Sequence, residues 1–138
     1  MTTRISELSE PHRGWRYHSG TILYTERLCD GRLIAASLQD TGVPYYANDE
    51  EKAMPAFDLQ VDGESLAFGW ALAEAETAGA DTETANVRLL LRHALKPVEL
   101  EIVTLAAGDG FFRRRMRLRN TSASGSTVPE PLTMTRRL

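Results

Sequence analysis

From Val87 to Asn120 the chain reads VRLLLRHALKPVELEIVTLAAGDGFFRRRMRLRN, and its apolar residues recur every second position. Val87, Leu89, Leu91 and His93 alternate with Arg88, Leu90 and Arg92, and Val98, Leu100 and Ile102 alternate with Glu99, Glu101 and Val103. A period of two puts alternate side chains on opposite faces of an extended chain, so these segments are half-buried strands rather than helices. The third segment carries five arginines in the seven positions 113–119. Phe112, Met116 and Leu118 share one face with Arg114, while Arg113, Arg115, Arg117 and Arg119 take the other.

Register follows from keeping the apolar faces together, because a slip of one residue turns a whole set toward water. Across the Gly108-Asp109-Gly110 turn this pairs Leu100 with Leu118 and Ile102 with Met116. Glu99 then faces Arg119 and Glu101 faces Arg117, which predicts structural ion pairs. A turn at Lys96-Pro97 sets Leu91 against Ile102 and Arg92 against Glu101. Cross-strand pairs of opposite sign each stabilise a sheet by roughly 0.2 to 1 kcal/mol. The arginine run therefore reads as a laced sheet face, although its composition alone would equally suit a phosphate-binding patch. Arg114 is different: on an apolar face, a guanidinium needs a carboxylate or several carbonyls. It is expected in an internal ion pair, with a buried ligand contact as the alternative.

Bulk properties narrow the classes of partner. A formal charge of -3 over 138 residues gives no long-range attraction for nucleic acid. No run of apolar residues approaches membrane length, and MTTRISELSEPHRGWRYH lacks the apolar core of a signal peptide. The single Cys29 provides no disulfide framework. The expected compartment is the cytoplasm, without nucleic acid or membrane as partner.

The remaining sequence extends the strand pattern. Residues 1–14 are polar and unpatterned and are expected to form a flexible leader, with order beginning near Trp15 and one domain covering 15–138. Asp30-Gly31 separates two runs, 21–28 and 32–39, and such a pair is a strong hairpin signal. TGVPYYANDEEKAMP reads as a long surface loop, and AFDLQVDGESLAF as a further hairpin turning at Asp62-Gly63. ALAEAETAGADTETA favours a helix by propensity, over 71–77 at most, but seven residues are too few without packing. An extended or irregular connection is expected there. TSASGSTVPEP is a turn, and LTMTRRL alternates weakly enough to begin another strand. Strands with turns every 10 to 15 residues and no convincing helix predict an all-β, antiparallel β-sandwich.

Catalytic and metal chemistry finds little to build on. His12 and His18 lie at or before the start of the expected order, and His93 on an inward strand face is better explained by a backbone carbonyl than as a base. No nucleophile elbow is present, and Cys29 stands beside Asp30, which disfavours its thiolate. Asp49-Glu50-Glu51 alone reads as a solvated loop, not a metal site, and no glycine-rich loop opens a helix. No catalytic residue, metal or cofactor is assigned. Aromatic residues are the better lead for a ligand: Trp70, Tyr45 and Tyr46 could stack on a sugar face, and Trp70 could equally fill the core.

The succession FDLQVDGESLAFGW, VRLLLRHALKPVELEIVTL and GDGFFRRRMRLRNTS resembles the N-terminal β-sandwich of family 36 glycoside hydrolases, the melibiase-type α-galactosidases. A comparable strand in that family runs apolar-apolar-x-Arg, continues with alternating apolar residues and ends in an Asn-Thr turn, as Phe111 to Thr121 does here. The likeness spans roughly residues 15–135 and implies a supersandwich of the galactose-mutarotase type. It also implies a non-catalytic accessory domain that packs on a catalytic barrel and supports assembly or carbohydrate binding. The family's two catalytic aspartates lie in a following barrel that this chain lacks, so none carries over. Because the chain resembles only the first half of such a sandwich, it is expected to be incomplete at its C-terminal end. Two other readings stay open: a free-standing carbohydrate-binding module using Trp70, Tyr45 and Tyr46, and a structural protein that self-associates through a sheet edge.

Overall fold

The computed structural model describes residues 3–9, 12–47, 55–57, 59–61, 63–78, 84–108 and 110–121, with the side chains of 45–47 left aside. The first sheet is antiparallel, with strands in chain order: β1 (Thr3–Leu8), β2 (Gly14–Ser19), β3 (Ile22–Cys29), β4 (Arg32–Asp40) and β5 (Val43–Ala47). A small hairpin, β6 (Gln60–Val61) and β7 (Glu64–Ser65), leads to the second sheet. That sheet comprises β8 (Trp70–Ala78), β9 (Ala85–His93), β10 (Val98–Ala106) and β11 (Phe112–Asn120), again antiparallel and in chain order. The two large sheets face one another as an antiparallel β-sandwich, with no helix among the described residues.

Tight turns account for the up-and-down order. Asp30 and Gly31 both adopt positive φ, as do Thr41 and Gly42, and this is the backbone of a type I′ hairpin turn. The core fills from the period-two faces: Trp15 and Tyr17 from β2, Leu33 from β4, Val87, Leu89 and Leu91 from β9, and Val98, Leu100 and Ile102 from β10. Phe57, Leu59, Val61 and Leu66 close it from the hairpin segment.

Several expectations are corrected. The stretch expected to be a flexible leader holds a strand: β1 pairs with β2 from Thr3↔Ser19 to Leu8↔Gly14, and Thr3 and Ile5 are buried. Ser and Glu between Ile5 and Leu8 masked the alternation. Residues 71–77 take the extended form of the two that were expected, as part of β8, where pairing to β9 outweighs the helix propensity of alanine and glutamate. The expected loop after Asp40 begins with β5, while Asp49, Glu50, Glu51 and LTMTRRL lie outside the described residues.

Register between β10 and β11 is as expected, with Leu100↔Leu118, Ile102↔Met116, Glu99↔Arg119 and Glu101↔Arg117. Between β9 and β10 it differs: Leu91 faces Leu100 and Arg92 faces Glu99. A two-residue turn at Lys96-Pro97 fails because its first residue needs positive φ, and proline fixes the second negative in any case. The connection instead runs from Ala94 to Pro97, and His93 Nδ1 accepts the N–H groups of Leu95 and Lys96 at 3.2 and 3.0 Å.

Candidate functional site

Among the described residues, a cluster of charged and hydroxyl side chains built into the interior joins the two sheets. Glu26 on β3 shares its face with Tyr24 and Leu28, and pairing across β2 puts Tyr17 opposite Tyr24. From the other sheet, Arg114 on β11 faces Thr104 on β10. The side chains of Arg114 and Glu26 are only 4% and 0% exposed, so neither charge can be left to water. They meet fork to fork: Arg114 Nη1 donates to Glu26 Oε2 at 2.7 Å and Nη2 to Oε1 at 2.5 Å.

Other groups complete the carboxylate and the guanidinium. Tyr17 donates its hydroxyl to Glu26 Oε1 at 3.1 Å, Tyr24 donates to Oε2 at 3.0 Å, and Arg114 Nε donates to Thr104 Oγ1 at 2.9 Å. Phe112 closes one side, in an edge contact with Tyr17 and a tilted one with Tyr24. Burial, followed by the charge of Glu26, holds the Tyr17 hydroxyl well above the usual tyrosine value. For Arg114, burial alone would favour losing the proton, and the charge and hydrogen bonds of Glu26 more than reverse it. Both protons are thus held tightly and away from solvent, which suits cohesion and not proton transfer.

The other expected site residues fall in different places. Trp70 is 3% exposed, donates Nε1 to the carbonyl of Leu66 at 2.7 Å, and packs edge-on to Phe57 and His93. Of its two open roles it takes the core one, and it presents no stacking face to solvent. Tyr45 and Tyr46 contribute backbone to β5, an edge strand, and their side chains lie outside the description. His93 Nε2 lies 2.8 Å from the carbonyl of Phe68, and since Nδ1 accepts two N–H groups, the ring proton belongs on Nε2. Among the described residues no group of three His, Cys, Asp or Glu side chains could hold a metal ion, and no helix is long and apolar enough to cross a membrane.

On the outer face of the second sheet the expected ion pairs are redistributed. Glu101 accepts from Arg88 Nε at 2.7 Å and Glu99 from Arg92 Nε at 3.2 Å, both on β9. Arg88 also reaches Glu74 on β8 at 2.9 Å, and these carboxylates raise its pKa, the bond to Glu74 most. The corrected β9 register is the cause, since it brings Arg92 directly opposite Glu99. Arg117 and Arg119 stand across from Glu101 and Glu99 but form no ion pair among the described residues, and all four outward arginines of β11 are exposed.

Sequence reading anticipated that Arg114 needs an internal partner but missed Glu26, Tyr17, Tyr24 and Thr104. A signal existed, because Glu26 alternates in phase with Tyr24 and Leu28, and a carboxylate in phase with apolar neighbours is as anomalous as an arginine there. No protein-family model matches the chain, and neither a curated protein nor a solved structure is found to be similar to it.

Proposed function

We propose that this chain is a non-catalytic β-sandwich module that works by packing against a partner. The observation that carries the reading is the Glu26–Arg114 cluster, whose charged and hydroxyl groups are spent on one another between the sheets. A catalytic or ligand-binding constellation keeps polar groups aimed at a place a substrate can reach, and here they are aimed at the sheet interface. The resemblance of the sequence from Phe57 to Thr121 motivates the more specific form of the proposal. In that form the module is an accessory domain of an α-galactosidase-like glycoside hydrolase, its partner a catalytic barrel. The burial of Trp70 removes it from the stacking residues of the carbohydrate-binding alternative.

The test is to add the purified chain to a family 36 catalytic barrel stripped of its own sandwich and to follow the barrel's melting temperature. The expected result is a rise that saturates with added chain, with no hydrolysis of an α-galactoside by the chain alone. No shift at saturating concentration contradicts the glycosidase form of the reading, and hydrolysis by the chain alone contradicts a non-catalytic role.

A further inference from the structure

Among the described residues, the two edges of the second sheet carry opposite charge. At one edge β11 presents Arg113, Arg115, Arg117 and Arg119, all exposed and without an ion pair among the described residues. At the other, β8 presents Glu74 and Glu76, both exposed, of which Glu74 is held by Arg88 and Glu76 has no ion pair among the described residues. All six side chains lie on the same outer face. Pairing shows it directly, since Glu76↔Arg88, Arg88↔Val103 and Val103↔Arg115 form one row across the sheet.

We infer that a second copy of this chain adds its β8 to β11 of the first, extending the sheet edge to edge; the inference rests on the packing-module reading and names one partner for it. Direction permits it: β11 runs parallel to β9 and β8 runs antiparallel to β9, so a second copy in the same orientation continues the alternation. Side-chain spacing permits it too. Alternate residues on any strand recur about every 7 Å, so two successive glutamates meet two successive arginines without adjustment. On the inward face, half-buried Met116 gains Ala75 as a neighbour when Glu76 and Glu74 stand opposite Arg115 and Arg117.

Charge also decides between the ways two edges can join. Pairing β11 with β11 sets arginine against arginine, and β8 with β8 sets glutamate against glutamate, both destabilising. Edge charges commonly keep sheets from pairing, and here they block both like-edge contacts while leaving the unlike one attractive. The register shift at Leu72/Glu74 confines the joint to the regular half of β8, from Glu74 to Ala78. Because the contact is head to tail, each copy keeps one free edge of each kind, and association is open-ended unless a ring closes.

The experiment is sedimentation velocity on the full chain over a dilution series, with two variants that each reverse one edge: Arg115→Glu/Arg117→Glu and Glu74→Lys/Glu76→Lys. Wild type should gain mass with concentration and lose it with added salt. Each variant alone should associate about tenfold more weakly or less, the loss expected for two reversed pairs. Mixed one to one, the variants regain opposite charges at both contacts, intact β11 against intact β8 and the glutamate-bearing β11 against the lysine-bearing β8, and the mixture should recover the concentration-dependent gain in mass. Circular dichroism spectra matching wild type establish that both variants fold. A wild type that stays monomeric throughout, or a mixture no heavier than its components, overturns the interface; neither outcome touches barrel stabilisation, on which the packing-module reading is judged.

Discussion

Glu26 and Arg114 show how a single residue's cost is met by its neighbours. Buried alone, either charge would cost several kcal/mol, and together they are stable because the carboxylate accepts four hydrogen bonds and each guanidinium nitrogen donates one. Tyr17 is the most informative member, since its hydroxyl is held protonated by burial and by the nearby carboxylate. An unfolded tyrosine releases its proton near pH 10, whereas folded Tyr17 retains it beyond that point. Below pH 10 the contribution is fully present; above it the native state binds more protons than the unfolded one, so stability falls as pH rises, by at most about 1.4 kcal/mol per pH unit for one group. Tyr17→Phe should cost about 1 kcal/mol at pH 8 through the lost hydrogen bond. The gap between variant and wild type should then narrow from pH 10 upward in urea titrations, and parallel curves would contradict the assignment.

Elements were legible wherever turn chemistry and period agreed. The Asp30-Gly31 hairpin and the β10–β11 register follow from a type I′ turn and from matching apolar faces, and both are as the sequence implied. Where a local signal was weak or opposed, the reading failed. Helix-favouring alanines left 71–77 readable only as extended or irregular, and hydrogen bonds to β9, residues distant in the chain, make it the extended strand β8. The length of the β9–β10 connection depended on His93 capping the turn, which no spacing reveals. The β1 strand was hidden by its polar residues, yet it supplies buried Ile5 and covers the edge of β2. Deleting residues 1–9 should therefore lower stability by at least about 2 kcal/mol, the worth of one buried isoleucine. An unchanged melting temperature would mark the stretch as the leader its composition suggested.

At the scale of the molecule, β11 serves the two faces of its sheet in different ways. Its inward Arg114 binds Glu26 of the opposite sheet, while its outward Arg117 and Arg119 are left over because β9 has taken the glutamates across from them, and Arg113 and Arg115 face Leu105 and Val103. The first makes one body of the sandwich, and the second gives that body a charged edge. Of the candidate site residues, Arg114 was recognisable because an arginine among apolar positions is anomalous on its own. Its partner was not, since which strand faces β11 is a property of the whole fold. The central claim is that the buried pair holds the sheets together and does nothing that requires its charge for chemistry. Urea unfolding of Glu26→Leu, Arg114→Met and the double variant Glu26→Leu/Arg114→Met tests it most directly. Each single change should cost about 3 to 5 kcal/mol by leaving a buried charge or its partners unanswered, and the double variant should cost less than either. Costs that simply add, or single changes that cost under about 1 kcal/mol, would contradict the account.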